Sequence, residues 1–556
     1  MNEIAGIFFK TDELNLTNFS AKAVQFFKEK FAGLTAEYLE DNIILLSASK
    51  TNKKREIQEY NEHITALGGY LLNEPEATNL NKYEPGLFHG KFLFLHINKI
   101  ERITKIYNDM LGHFPVFYYE NHDLFCFSSD LSFLLSLDID KTISKQHIAD
   151  YFFWGSTLPG TTFFEKIKLL PPASEIVIDK NTVKFNNYTV ENKSYDFKNI
   201  NEAAETLTEV MRSVIKSYYD YYGKLNFTLT GGLDTRYIAS LIDPDWDVEF
   251  VTVADRYVND DENNDIIIAK EIAELLGIKH IIFNNDIYPK LNRYDIEYFY
   301  KKNLPIENRS LILGVFGSEI LKMQAFLLVN PFLSKKIGFV DNDFCLLYPE
   351  YPTFKNAIFN KKKIPFLSLL KNNIKSDFKE RSVSYFREII VTSKINKLAP
   401  IVDIIARSYF SNFYGGHKSG NMQHHQLFSS FIMPFVDSEV LDVLSSFPMN
   451  YFGKEDGTIY SYLFSVLYPK LGQIPTNSDY LTVNSKIFAK SEKGINPLDN
   501  YVSEMSNLKD ANEISFEYLD DVFISTRFLN YVKKSRWFNT AAYDFGVWIK
   551  YVNSFN

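Results

Sequence analysis

Residues Leu229-Thr230-Gly231-Gly232-Leu233-Asp234-Thr235 constrain this chain more than any other stretch. An apolar, β-prone run (Leu225, Phe227, Leu229) leads into them, and Arg236-Tyr237-Ile238-Ala239-Ser240-Leu241-Ile242 follows as a helix start. A strand, a glycine turn flanked by hydroxyls and then a helix make a phosphate site. The glycines let the backbone come close to a ligand, and the amides at the helix N-terminus point at anions. Thr230 and Thr235 can donate further hydrogen bonds. Asp234 alone would repel a phosphate, so its presence calls for a bridging Mg²⁺ held through oxygen ligands. The Gly-Lys-Ser/Thr ending of a Walker A loop is missing, and the dinucleotide fingerprint is not met. A plain Gly-Gly turn is the bland alternative; the pattern hydroxyl-Gly-Gly-x-Asp-hydroxyl between a strand and a helix favours the phosphate site.

At 556 residues the chain is too long for one core, and two or three domains are expected. Hydrophobic residues at 46% and charged residues at 23% suit an ordinary soluble globular protein. A net charge of -9 argues against a protein built to grip nucleic acid, whose phosphates demand a basic face. Cys126 and Cys345 are the only cysteines, which leaves no disulfide framework and no multi-cysteine zinc or iron–sulfur site. Met1-Asn2-Glu3 lacks the basic region and apolar core of a signal peptide. No apolar run reaches the roughly 18 residues that a membrane helix needs. The expected location is the cytoplasm, with neither a membrane nor a nucleic acid as partner.

The first roughly 190 residues read as strands and hairpins with few helices: Ile4–Phe9, Phe92–Ile97, Val116–Tyr119 and Phe125–Ser129 place aromatic and β-branched residues between turns. From Asn192 to Asn201 the chain turns polar, as a domain linker does. Beyond it, Ala203–Tyr219 is a helical pattern, Val248–Val253 a second buried strand, Asp265–Leu276 a helix closed by Gly277, and His280–Phe283 a third strand. Strands alternating with helices at this spacing predict a parallel sheet with helices on both faces, and ligands of such sheets sit outside the carboxyl ends of the strands. The remainder, to residue 556, reads as mainly helical.

The glycine loop resembles the pyrophosphate loop of N-type ATP pyrophosphatases, Ser-Gly-Gly-x-Asp-Ser, with threonine for both serines. Nearly the whole chain is similar to the asparagine synthetase family of the glutamine-hydrolysing type. Asn2-Glu3-Ile4-Ala5-Gly6-Ile7-Phe8 stands where the family opens Cys-Gly-Ile-x-Gly-Ile/Phe-Phe. Asn108-Asp109-Met110-Leu111-Gly112-His113-Phe114-Pro115-Val116-Phe117-Tyr118 matches Arg-Asp-x-x-Gly-x-x-Pro-Leu-Tyr, Phe127-Ser128-Ser129-Asp130 matches a Phe-Ala/Ser-Ser-Glu strand, and Leu169-Leu170-Pro171-Pro172-Ala173 matches Ile/Leu-Pro-Pro-Gly. The resemblance implies an α+β N-terminal glutaminase-like sandwich over residues 1–192. An α/β ATP-pyrophosphatase domain with a parallel sheet and a largely helical C-terminal part follows over 201–556. It implies ATP and Mg²⁺ as cofactors, with ATP held by Leu229, Thr230, Gly231, Gly232, Asp234, Thr235 and Val253, and the metal held by Asp234 and Glu319. Glu319, in Gly314-Val315-Phe316-Gly317-Ser318-Glu319, replaces the first acid of Gly-x-Gly-Ser-Asp-Glu and takes its catalytic place; a glycine-broken helix start with a solvated Glu is the plainer alternative.

Three departures matter. Position 2, where the family has the glutaminase thiol, is Asn, so the first domain is expected to support the second without hydrolysing glutamine. Phe316 sits where relatives place Glu or Tyr. Gln473-Ile474-Pro475-Thr476-Asn477-Ser478 lacks the Lys of the family's Arg-Pro-Lys-like loop, with Lys486 nearby in uncertain register. In Met433-Pro434-Phe435-Val436-Asp437, which resembles Pro-Phe-Leu-Asp, Asp437 is expected to cap a helix. His417, His424 and His425 lack clear metal-ligand spacing, and Tyr218-Tyr219-Asp220-Tyr221-Tyr222 is expected to pack rather than stack on a ligand.

The implied activity is an ATP-dependent, AMP-forming amide ligase joining a small-molecule or peptide carboxylate to ammonia or a substrate amine, similar in lacking a glutaminase to β-lactam synthetases and lasso-peptide cyclases. The resemblance leaves a homodimer open. Alternatives are asparagine synthetase proper, or an inactive nucleotide-binding partner protein; a tRNA-modifying adenylating enzyme is disfavoured by the acidic charge and the absent cysteine pair.

Overall fold

Side chains alternate along an extended chain, so one strand can feed two apolar layers. Strand β1 (Glu3–Phe9) does this: Ile4 and Phe8 enter one core with Leu45, Leu93, Ile106, Phe127 and Ile176, while Ala5, Ile7 and Phe9 enter another with Phe27, Phe133 and Leu134. The structure is a computed structural model that describes residues 3–10, 16–30, 34–40, 42–49, 57–72, 85–154, 157–158, 160–179, 182–188, 193–254, 264–284, 310–314, 316–321, 368–393, 431–452, 457–476 and scattered residues between 518 and 555.

Strands β2 (Leu34–Glu40), β3 (Ile43–Ser49), β4 (Ile57–Tyr60), β5 (His63–Leu71), β6 (Gly90–Asn98), β7 (Ile103–Asn108), β8 (Phe117–Glu120), β9 (Leu124–Ser128), β10 (Lys168–Leu169), β11 (Ser174–Asp179) and β12 (Thr182–Asn187) join β1 in two six-stranded antiparallel sheets. Their orders are β10-β8-β9-β1-β3-β2 and β12-β11-β7-β6-β5-β4. The sheets face each other across the first core, and helices Leu16–Lys30 and Leu131–Ser136 cover the far side of the first sheet. Edge strand β12 exposes Lys184, Asn186 and Asn187, polar residues that discourage further strand pairing. The Asn-Asp pair found in the sequence is a structural knot. The Asp109 carboxylate accepts the amides of Leu111 (3.1 Å), His113 (2.8 Å) and Phe114 (2.8 Å). The Asn108 side chain donates to the Pro171 carbonyl (2.7 Å) and accepts from the Ser174 amide (2.8 Å).

Residues 193–199 carry no helix or strand. Asn199 then caps helix Ile200–Tyr222, its side chain accepting the amides of Asn201 (2.9 Å) and Glu202 (3.1 Å). Gly223 ends the helix at φ +77°, a left-handed turn that glycine takes without steric cost. The tyrosines at its end do pack: Tyr219 stacks on Trp246, and Tyr218 and Tyr222 meet Tyr70 edge-on.

The parallel sheet contains β13 (Leu225–Thr228), β14 (Val248–Ala254), β15 (His280–Asn284), β16 (Ser310–Ile312) and β17 (Phe431–Ile432) in the order β15-β14-β13-β16-β17. The first three strands match the sequence expectation. The last two were not among the expected strands: runs of three and two residues are too short to carry a period, and they are extended because each pairs with a neighbour. Helices Asn372–Ser393 and Ser438–Ser445 lie among the later elements. No helix among the described residues is long and apolar enough to cross a membrane.

Asp437 joins the sandwich to the parallel sheet's half. It caps helix Ser438–Ser445 by accepting the Glu439 amide (3.1 Å), as expected. It also accepts the Tyr218 hydroxyl (3.0 Å), and both its oxygens meet His89 Nε2 (2.8 and 2.9 Å). Burial by itself would lower the His89 pKa, but the bond and charge of Asp437, with Glu439 behind it, outweigh burial and the opposing Lys193 and leave it raised. The folded pKa thus lies above the ordinary 6.5, so the pair's contribution is complete below 6.5 and fades as pH rises through the folded value. Wild type is therefore expected to lose more stability than His89→Gln as pH rises from about 6 to about 9, read by urea unfolding; parallel pH profiles would contradict the assignment.

Candidate functional site

β13 is the central strand, with β14 and β15 on one side and β16 and β17 on the other. The chain changes direction across the sheet at β13, and ligands of open parallel sheets settle at the carboxyl end of such a switch point. Residues 229–235 leave from that end. Leu229 is still tied to the sheet: its amide donates to Val251 O (2.9 Å) and its carbonyl accepts the Thr252 hydroxyl (2.6 Å). With that hydroxyl hydrogen committed, His280 Nε2, 2.7 Å from Thr252 Oγ1, is the protonated ring nitrogen and donates to it. Burial and nearby Lys270 lower the His280 pKa and keep its ring neutral near pH 7.

Beyond Leu229 the loop is shaped by its two threonines. Their hydroxyl oxygens are 3.1 Å apart; Thr235 Oγ1 accepts the Thr230 amide (3.1 Å), and Thr230 Oγ1 accepts the Gly232 amide (3.2 Å). Both hydroxyls are therefore engaged inside the loop in this geometry. Gly232 is the cap residue of helix Leu233–Ser240, with Asp234 in its first turn. Two partners were not visible in the sequence. Asp265, in the first turn of helix Asn264–Leu276, accepts the Gly231 amide on Oδ1 (2.7 Å). The Tyr460 hydroxyl, from helix Ile459–Tyr462, donates to Asp234 Oδ1.

Gly314 and Gly317 press on the loop from the β16 side. A Cβ on Gly317 would stand 2.8 Å from Asp234 Cβ and 2.7 Å from the Phe435 ring, and one on Gly314 would stand 2.7 Å from Thr235 Cγ2. Between them Phe316 is buried at φ +71°, a strained conformation for a bulky side chain. Helix Gly317–Leu321 is thereby brought against Asp234, and Glu319 belongs to it. The side chains of Glu319 and Val253 lie outside the described residues, as do Asn2, His417, His424, His425, Asn477, Ser478 and Lys486.

Mg²⁺ suits this donor set. Among the described residues no group of three or more His, Cys, Asp or Glu gathers, but Mg²⁺ is commonly held by only one or two carboxylates, with phosphate and water oxygens as its other ligands. Asp234 and Asp265 are two carboxylates in the first turns of helices that meet one loop. In the sandwich, Cys126 offers no nucleophile: it is fully buried in β9 opposite Ile7, and burial pushes its thiol pKa well up. A polar cleft between the halves is lined by Tyr70, His89, Lys91, Asp109, Tyr218 and Asp437. Burial lowers the Lys91 pKa to about 7, against the favourable charges of Asp109 and Glu3.

The glutamine amidotransferase domain family matches residues 86–189, from the segment before β6 through β12. No curated protein matches. Among solved structures, the glutamine phosphoribosylpyrophosphate amidotransferase from B. subtilis, complexed with ADP and GMP, is 10% identical with TM-score 0.22, over 56% of this chain and 74% of that one. A structure of the allosteric regulatory enzyme of purine biosynthesis is 10% identical with TM-score 0.21, over 51% and 80%. The NH3-dependent NAD synthetase from Campylobacter jejuni is 14% identical with TM-score 0.18, over 34% and 95%. Likenesses of that size carry no weight for function.

The close approach of Gly314 and Gly317 to the loop has a direct consequence. Gly317→Ala is expected to cost about 2 kcal/mol, because neither the Asp234 backbone nor the buried Phe435 ring can withdraw freely. Gly277→Ala, which meets nothing within 4 Å, should show only the cost of its left-handed φ, about 1 kcal/mol. Equal urea midpoints for Gly317→Ala and wild type would contradict the packing.

Proposed function

We propose that this protein is an ATP-dependent, AMP-forming amide ligase. In this proposal residues 1–192 are a degenerate class II glutamine amidotransferase-like domain, and 201–556 are an asparagine synthetase-like ATP-pyrophosphatase domain. The observation that carries the proposal is the loop at the carboxyl end of β13, a glycine turn into a helix N-terminus bounded by Asp234 and Asp265. The match of residues 86–189 to the glutamine amidotransferase domain supports the kinship of the first half.

A carboxylate is a poor acyl donor because its oxygen leaves badly. In the first step a carboxylate oxygen of the substrate attacks the α-phosphorus of ATP, the bond to the bridging oxygen breaks, and pyrophosphate departs. In the second step an amine attacks the acyl carbon, the bond to the AMP oxygen breaks, and the amine gives up a proton. The loop's part is to hold pyrophosphate as charge builds on it, through the amides of the first helical turn, in a loop shape that Thr230 and Thr235 fix by bonding to each other. Mg²⁺, held by Asp234 with Asp265 and Glu319 as further carboxylates, would neutralise that charge. The base of the nucleotide belongs beside Leu229 and Val253. Both backbone groups of Leu229 are already hydrogen-bonded within the protein and its side chain is fully buried, so Leu229 shapes the floor of the loop without offering the base a polar contact.

The amine is free ammonia or an amine of the substrate. Asn2 stands at the position where the family carries its thiol, and the Cys126 thiol is sealed in a sheet. The test is product analysis with Mg²⁺-ATP, ammonium or small amines, and a panel of carboxylates that includes aspartate and peptides. The expected outcome is AMP and pyrophosphate that depend on the carboxylate and fall by at least about 100-fold in Asp234→Ala. Activity with aspartate and ammonium alone would narrow the assignment to asparagine synthetase proper. Release of ADP and phosphate, or nucleotide binding with no product from any carboxylate, would overturn the ligase and leave a nucleotide-binding partner protein.

A further inference from the structure

Arg236 is an unusual residue to find beneath an anion-binding loop. It follows Thr235 in helix Leu233–Ser240 and is fully buried. Its guanidinium is held by four backbone carbonyls: Nη1 donates to Leu471 O (2.9 Å) and Ile474 O (2.6 Å), and Nη2 to Pro475 O (2.8 Å) and Gly231 O (3.3 Å). Its Nε finds no acceptor among the described residues. Burial lowers its pKa to about 10, with the charge of Glu271 opposing, so the group stays cationic at neutral pH. A buried cation whose hydrogen bonds all go to carbonyl dipoles is costly to keep, and an anion on the loop above it would offset that cost.

The contacts also explain why the residue is arginine. Gly231 is gripped at both ends, its amide by the Asp265 carboxylate and its carbonyl by Arg236. The planar fork that holds the Gly231 carbonyl also spans the carbonyls of residues 471, 474 and 475, a reach that lysine, with one point charge, cannot reproduce. Residues 469–472 form a short helix whose end passes directly into the gripped segment.

We propose that Arg236 is a positioning residue that couples the phosphate loop to residues 471–476, so that a pyrophosphate group on the loop orders that segment through the shared guanidinium. The inference rests on the loop being a nucleotide phosphate site and adds how occupancy is passed to a second element. Arg236 touches no reacting atom; it acts through the Gly231 peptide, and its charge lies under the phosphates.

Two readouts test it, neither of which needs turnover. Mg²⁺-pyrophosphate is titrated calorimetrically into the full chain as wild type, Arg236→Met and Arg236→Lys, with folding checked by thermal melts. Amide hydrogen exchange of residues 471–476 is followed with and without the ligand. The expected results are slowed exchange of 471–476 in wild type on binding, affinity at least about tenfold weaker in Arg236→Met, and partial affinity without the slowed exchange in Arg236→Lys. Wild type that binds pyrophosphate with no change at 471–476 overturns the coupling without recourse to a variant. A folded Arg236→Met that binds and protects like wild type overturns it equally. Failure of wild type to bind either pyrophosphate or ATP would instead overturn the ligase proposal on which it stands.

Discussion

A parallel strand that stops in a glycine turn leaves backbone groups that the sheet cannot satisfy, and buried backbone polar groups must find partners. At the end of β13 those partners are side chains. Thr252 takes the Leu229 carbonyl, Asp265 the Gly231 amide, Thr230 the Gly232 amide and Arg236 the Gly231 carbonyl. Each comes from a different place: strand β14, the helix after it, the loop itself and the helix that follows the loop. The loop therefore keeps this backbone arrangement only while the sheet and both helices are in place.

The same economy recurs where the two halves meet. Asp437 caps a helix, accepts a tyrosine hydroxyl and pairs with His89 of the other half. A capped helix N-terminus is already a favourable place for a carboxylate, so the residue could take on the interface without losing its local role. Phe435, two residues earlier, meets the glycine that lies against Asp234. One short segment, residues 433–437, thus touches both the loop's surroundings and the sandwich.

What could be read from the sequence was local. Runs of aromatic and β-branched residues between turns exposed β1, β6, β8 and β9, residue type singled out the glycine loop, and the cap at Asp437 came from the segment Met433–Asp437. What escaped was either too short or too distant. Strands β16 and β17 have three and two residues and exist only through pairing. Tyr460 reaches Asp234 across 226 residues, and His89 reaches Asp437 across 348, separations at which no spacing rule operates. Asp265 was visible as a helix start, but only the fold shows that the helix aims its first turn at Gly231. Arg236 reads in sequence as one more residue of a helix, and its four carbonyl partners come from chain that periodicity cannot bring near.

The central claim is that the backbone of residues 229–235 is the site at which nucleotide phosphates bind. Amide hydrogen exchange along the whole chain, with and without Mg²⁺-ATP, tests it most directly. The account expects slowed exchange concentrated in residues 229–236 and the start of helix Asn264–Leu276, and absent in Asp234→Ala. Protection centred on another part of the chain, or the same protection in Asp234→Ala, would contradict it.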